Sequence, residues 1–393
     1  MSRKDRLRLP RVIWGLTPII NIKYWSAAVR MLGYESTTIV WGWFDINRRE
    51  DFDLWLGDFL SPWRTKILDP VREQLMFLWA LRHADIFVFF FDGGFLSRTP
   101  LRRLESRLLH FARKKIIVTP YGSDIAVVGY LGAAEEAILT DYPQTLTRSR
   151  RVASLVRHFC EEADLVIRNL QVGYLPRYDV VWPCQLAVDT DLWRPVEIRR
   201  DTSATVNVVH ASNHRAIKGT RHVIEAVAEL GAEGLPVRLH LLEARPNEEV
   251  REVVLAGDIV VEQLIGGFGL FGIEAMSAGK PVLSNLRWMP PEMKAHPSIQ
   301  ECPIVDCDAS DIKAKLRDLA ENPEARVAAG AASRRFALKY HSYDAVGRAW
   351  SVLLRSVWDE VPLEEIQAAE RDLPWQLATS PMHRVARADR AVT

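Results

Sequence analysis

Two short stretches of this chain combine residue types that can hold a phosphate. Gly266-Gly267-Phe268-Gly269 opens a helix-patterned apolar stretch, Leu270 to Ala278, which carries one acid, Glu274, and stops at Gly279 with Pro281 just beyond. Glycines at a helix start let the backbone approach a ligand closely, and the free N–H groups and dipole there favour an anion. The second stretch, Ala211 to Thr220, follows the strand pattern Val206 to His210 and places two cations, Arg215 and Lys218, before another helix. Together they predict a diphosphate held by backbone amides, Arg215 and Lys218. His210 reads as a strand-end residue with a satisfied ring. Three Asp-x-Asp triplets (Asp51-Phe52-Asp53, Asp189-Thr190-Asp191 and Asp306-Cys307-Asp308) have the spacing of a metal-binding pair of acids. Aspartate is frequent enough to produce them by chance. With Arg215 and Lys218 supplying positive charge, no metal and no cofactor is expected.

The elements that must position these residues follow from periodicity. Arg11 to Trp14, Thr37 to Trp43, Ile86 to Phe91, Lys115 to Thr119, Leu165 to Arg168 and Asp179 to Trp182 read as short strands separated by helical patterns. The pattern restarts with strands at Val206 to His210, Val237 to Leu242, Asp258 to Val261 and Val282 to Asn285. Strands alternating with helices imply parallel, doubly wound α/β sheets, whose ligands bind outside the carboxyl ends of the strands. The expected fold class is α/β with two Rossmann-like domains: residues 1–190, then 191–345. A helix over 346–364 is expected to pack back on the first domain, followed by a polar tail over 365–393. A chain of 393 residues is long enough for two cores. Its net charge of +1 creates no global attraction to nucleic acid. Cys160, Cys184, Cys302 and Cys307 form no Cys-x-x-Cys pair and read as thiols in a reducing compartment. The longest apolar run, Ile86 to Phe91, is far short of the roughly 20 residues that span a bilayer, so a cytoplasmic protein is expected. Trp14, Trp25, Trp41, Trp43, Trp55, Trp63 and Trp79 are concentrated early in the chain and read mostly as core or cleft residues.

Four segments resemble the family-4 retaining glycosyltransferases with the GT-B fold. GGFGLFGIEAMSAGKPVLS, Gly266 to Ser284, looks like that family's glycine loop, acidic helix and following strand. HASNHRAIKGT, His210 to Thr220, is similar to its first donor-domain loop, and LAVDTDLWRP, Leu186 to Pro195, to its interdomain segment. YGSDI, Tyr121 to Ile125, is a weaker match in the acceptor domain. The resemblance extends over roughly residues 10 to 360. It implies a nucleotide diphospho-sugar donor, a carbohydrate or lipid-linked acceptor, and two domains facing each other across a cleft. Glu274 would accept hydrogen bonds from the donor ribose, as a carboxylate can from two adjacent hydroxyls. Arg215 and Lys218 would steady the leaving diphosphate. Gly267, Phe268, Gly269 and Leu270, with Gly15, would line the donor, and Tyr121 and Asp124 the acceptor. The resemblance further implies transfer with retention, by same-face attack in which a donor phosphate oxygen takes the acceptor proton. Gly266 stands where many members have Glu; Glu262 lies four residues earlier, out of register. Tyr121 stands where relatives often have His.

The stretch Leu101 to Lys115 is strongly basic, through Arg102, Arg103, Arg107, Arg113, Lys114 and Lys115. Leu101, Leu104, Leu108, Phe111 and Ala112 share one helical face, which is expected to pack on the sheet. The competing reading is peripheral contact with an anionic membrane surface. Two other functions fit the same architecture: a non-catalytic module that binds a nucleotide sugar, and a nucleotide-sugar epimerase.

Overall fold

The computed structural model describes residues 8–44, 47–59, 71–195, 205–369 and 377–379. Trp63, the polar stretch before Thr205 and most of the C-terminal tail lie outside the described residues. Two compact units divide the chain. One comprises the described parts of Met1–Val127, Thr147–Trp182 and Tyr343–Thr393; the other comprises those of Val128–Leu146 and Pro183–Ser342.

The first unit is built on strands β1 (Val12–Leu16), β2 (Ser36–Val40), β3 (Leu54–Trp55), β4 (Ile86–Phe89), β5 (Lys115–Val118), β6 (Leu165–Arg168) and β7 (Val180–Val181). They lie in the order β7-β6-β5-β4-β1-β2-β3, all parallel, and Ala378–Thr379 pairs antiparallel with β7 at the edge. The central strands form because their residues are largely apolar and are covered on both faces, as in parallel sheets generally. β1 and β4 are buried at every position. The direction of strand addition reverses between β1 and β4, which makes the carboxyl ends of these two strands the topological switch point. Gly15 lies inside β1, where a Cβ would sit 2.4 Å from the carbonyl oxygen of Ile39 on β2. Glycine is demanded there by the close approach of two backbones. Gly15→Ala is therefore expected to destabilise the unit by about 1–3 kcal/mol, read as a lowered denaturation midpoint; an unchanged midpoint would show that β1 and β2 can separate freely.

The helix Tyr343–Asp359 belongs to this unit and lies along Asn21–Met31. Gly347 permits the approach, since a Cβ would meet the Ala28 carbonyl oxygen at 2.7 Å. Trp350 on this helix meets Trp14, Trp25 and Trp182 with ring centroids 4.7, 5.3 and 5.3 Å away. Trp14 and Trp25 are thus core residues, whereas Trp43 is exposed and packs on Trp55.

The single helix expected from Leu101 to Ala112 is instead a 3₁₀ turn, Pro100–Arg103, followed by the helix Glu105–Phe111. Its orientation is the reverse of that expected. Glu105, Ser106 and Leu109 are buried, while Leu101, Leu104, Leu108 and Phe111 are exposed, Phe111 by 90%. The cause is Glu105, whose carboxylate accepts the N–H groups of Phe95 (2.7 Å) and Leu96 (2.9 Å) and so turns the polar side of the helix inward.

The second unit contains β8 (Val206–Ala211), β9 (Val237–Leu242), β10 (Ile259–Val261), β11 (Val282–Ser284) and β12 (Val305–Asp306), parallel and in the order β12-β11-β10-β8-β9. Its switch point lies between β8 and β10. Residues 128–146, which come before the last strands of the first unit in sequence, group with this unit.

Candidate functional site

The loops leaving β8 and β10 carry the chemistry of the second unit. His210, near the end of β8, is fully buried. Its Nδ1 faces the Val261 carbonyl at 2.8 Å and its Nε2 meets the Thr220 hydroxyl at 3.0 Å. Burial pulls its pKa down to about 4, so it is a neutral ring that ties the two strand ends together. The helical turn Arg215–Lys218 ends on Gly219, in the left-handed region with φ 67°, where a Cβ would meet Leu264 at 2.8 Å. The Leu264 N–H donates to the Lys218 carbonyl oxygen (3.2 Å), which fastens one loop to the other.

Glu262 follows β10 directly and is fully buried. One carboxylate oxygen accepts from the ammonium of Lys218; the other has no hydrogen-bond partner among the described residues. It lies beside the start of the helix Leu270–Ser277: a Cβ on Gly269 would come within 3.3 Å of one oxygen, and a Cβ on Gly272 within 3.2 Å of the other. Lys218, Glu262 and this glycine-opened helix start therefore share the switch point. Glu262 was out of register by counting along the chain, yet its place after a central strand brings it to the site.

Glu274 is buried in the same helix, and the Asn247 side-chain amide donates to it at 3.2 Å. Burial, reinforced by repulsion from Glu262, pushes its carboxyl up to about 8. Arg215 is exposed and forks onto Glu243 with two contacts of 2.7 Å. Both predicted cations thus carry carboxylates, with different consequences. An exposed pair such as Arg215–Glu243 is screened by solvent and yields readily to a phosphate. The Lys218–Glu262 pair is buried and is not lightly broken.

Gly266 and Gly267 have φ of 100° and 70°, a conformation that favours glycine. The Gly267 N–H donates to the Asn285 carbonyl oxygen at 2.8 Å and is engaged within the protein. Phe268 is buried, with its ring edge-on to His341. The amides of Leu270 and its successors begin the helix, where no preceding turn supplies carbonyls to them. The helix Glu135–Asp141 supports the first loop, since Asp141 accepts the N–H groups of Ala216 (3.3 Å) and Ile217 (2.8 Å), and Tyr142 meets His214 at 2.5 Å.

At the switch point of the first unit, Thr17 and Tyr121 both donate to one oxygen of Asp92, at 2.5 and 3.2 Å. The other oxygen, Oδ1, is buried without a partner among the described residues. Burial raises the Asp92 pKa against the pull of these hydrogen bonds. Asp124 spends its oxygens on the N–H groups of Phe91 (3.1 Å), Tyr121 (3.0 Å) and Gly122 (2.8 Å). Burial and the nearby Asp92 push it up to about 7. Asp124 thereby shapes the Tyr121 loop, and Asp92 is the carboxylate with an oxygen to offer. The same burial and the same acid keep Tyr121 a phenol that donates. Sequence reasoning missed Asp92. Its position just after β4, ahead of Gly93-Gly94, was the available signal. Gly15 belongs to this unit, inside β1.

Comparison with solved structures agrees with this fold. Sucrose-phosphate synthase (tll1590) from Thermosynechococcus elongatus matches over 89% of this chain and 100% of its own, with a TM-score of 0.59 and 14% identity. Anabaena Alr3699/HepE, solved in complex with UDP-glucose, matches over 88% and 100%, with a TM-score of 0.53 and 12% identity. WaaG, a glycosyltransferase involved in lipopolysaccharide biosynthesis, matches over 87% and 99%, with a TM-score of 0.52 and 13% identity. The fold is GT-B, with two parallel-sheet Rossmann-like domains. Residues 217–336 match the family Glycosyl transferases group 1, a span that contains Lys218, Glu262 and Glu274. No curated protein matches the chain by sequence.

Proposed function

We propose that this protein transfers a sugar from a nucleotide diphospho-sugar to an acceptor hydroxyl with retention of configuration, in the building of a polysaccharide, glycolipid or other glycoconjugate. The observation that carries the reading is the junction of Lys218, Glu262 and the glycine-opened helix start at one switch point, with Glu274 buried in that helix. The match of residues 217–336 to the group 1 glycosyl transferases supports it.

In this mechanism the helix-start amides and Lys218 receive the donor diphosphate, Arg215 leaves Glu243 to join them, and Glu274 accepts from the ribose hydroxyls. As the bond between the anomeric carbon and the phosphate oxygen breaks, negative charge grows on the diphosphate and these donors stabilise it. The acceptor oxygen bonds to the same face of the carbon, and its proton passes to the departing phosphate oxygen. No metal is required for this charge balance. On the acceptor side Asp92 offers its free oxygen to a hydroxyl, while Tyr121 and Asp124 hold the loop in place. The exposed Leu101, Leu104, Leu108 and Phe111 beside Arg102, Arg103 and Arg107 also favour peripheral contact with an anionic membrane surface. Among the described residues no helix is long and apolar enough to cross a membrane.

A thermal-shift screen of nucleoside diphosphates and their sugars tests the donor half. A ligand at 100 times its Kd adds about 2.7 kcal/mol of apparent stability, so at least one nucleotide should raise the melting temperature clearly. No shift with any base would overturn the reading. The carboxylates already on Arg215 and Lys218 favour a second reading, a binding module without turnover. That reading predicts the same shift with no sugar transferred.

A further inference from the structure

The first unit contains a cavity of about 790 Å³ between the loop after β4, the turn Pro100–Arg103 and the helix Thr145–Glu162. Its volume is in the range of ligand sites rather than packing defects. Arg98, Arg102, Arg103, Arg151, Arg157 and His158 line it. Elsewhere several arginines share their charge with carboxylates: Arg49 with Asp58, Arg287 with Asp306, Asp308 and Asp311, and Arg317 with Glu233 and Glu321. Around this cavity Arg102, Arg103, Arg151 and Arg157 have no carboxylate partner among the described residues, and Arg98 lies over the Trp41 ring. The acids in its wall do not offset them. Glu105 is engaged by the N–H groups of Phe95 and Leu96, and burial pushes it up to about 7. Asp92 is held by Thr17 and Tyr121, and Glu161 lies at the exposed edge. The Ser106 hydroxyl lies within 3.3 Å of His158, adding neutral polar groups to the lining.

Guanidinium groups gathered around one space repel each other unless an anion shares it, and their planar forks match phosphate oxygens. We propose that this cavity binds a phosphate or diphosphate group carried by the acceptor. The inference rests on the transferase reading for the word acceptor; the anion site itself rests on the arginines alone. Asp92 connects the two halves of the idea. It lines the cavity and also bears the free oxygen at the switch point, so an acceptor anchored by its phosphate would present a hydroxyl there.

The probe is inorganic pyrophosphate, titrated calorimetrically at low and physiological salt into the full-length protein. Pyrophosphate can also enter the donor site, so the measurement is repeated with Lys218→Ala, with Arg103→Ser/Arg151→Ser, and with all three changes. Binding should persist in Lys218→Ala, fall at least tenfold when the two arginine changes are added, and weaken with salt. Arg103→Ser/Arg151→Ser should keep the thermal shift given by a nucleoside diphosphate, which shows that it is folded and that its donor site is intact. Pyrophosphate binding that disappears in both Lys218→Ala and the stability-restoring Lys218→Ala/Glu262→Gln, or that ignores the two arginines, overturns the site. A site confirmed in this way alongside absent nucleotide shifts would instead remove the transferase reading. Vesicles containing phosphatidylglycerol distinguish the sources. Sedimentation displaced by pyrophosphate and lost in Arg103→Ser/Arg151→Ser assigns the phosphate to a lipid headgroup. Pyrophosphate binding with no such displacement assigns it to a soluble acceptor.

Discussion

Lys218→Ala is expected to lower kcat/KM for the sugar donor by about 100- to 1,000-fold, the usual cost of removing one group that meets charge developing in a transition state. A second effect is superimposed. Without the ammonium, Glu262 is left buried with neither oxygen partnered, and breaking a buried pair from one side costs about 3–5 kcal/mol. The variant should therefore also melt early, and lost activity alone would not separate chemistry from folding. Lys218→Ala/Glu262→Gln makes the separation. Replacing the orphaned charge by a neutral amide should restore most of the melting temperature while turnover stays low. Turnover that returns with stability would reduce Lys218 to a structural partner of Glu262. Unchanged turnover in Lys218→Ala itself would remove the donor site from this loop.

Glu274→Gln is expected to weaken donor binding at least tenfold, equivalent to about 1.4 kcal/mol, and yet to stabilise the unliganded protein above neutral pH. The two effects have one origin. Burial raises the Glu274 carboxyl from 4.5 to about 8 when no donor is present. The folded chain then holds a proton that the unfolded chain releases. The stability contributed by this group is fully present below about pH 4.5 and is lost as pH rises through about 8. Glutamine is neutral throughout, so the variant should melt higher than the native protein at pH 8 and show a flatter dependence between those limits. A ribose, by contrast, gains from the ionised form, which accepts from two hydroxyls at once. Affinity for a nucleoside diphosphate should accordingly rise across that interval in the native protein more steeply than in Glu274→Gln. Parallel affinity profiles for the two proteins would detach Glu274 from the ribose.

These expectations depend on residues whose visibility in the sequence differed greatly. The parallel sheets were legible because each strand is a short apolar run bounded by polar turns; β4 and β8 fall within a residue or two of their expected bounds. β3 and β12 are two residues long, too short for any periodicity to register. The stretch Leu101 to Phe111 has a genuine helical apolar face, but that face is exposed, because a distant need, two unpaired N–H groups at Phe95 and Leu96, is met by Glu105.

By itself the sequence determined the α/β class, the glycine-opened helix with Glu274, and the strand that delivers Lys218, because each is a local pattern of apolarity, turn residues and charge. Only the tertiary structure decided which carboxylates meet which cations. Glu262 reaches Lys218, and Asp92 reaches Thr17 and Tyr121, because central strands end side by side at a switch point. Residues 128–146 join the second unit, and Asp141 caps the turn that bears Arg215 by accepting from Ala216, 75 residues further along the chain. Such encounters arise from strand order, a property of the whole sheet that no window of sequence contains.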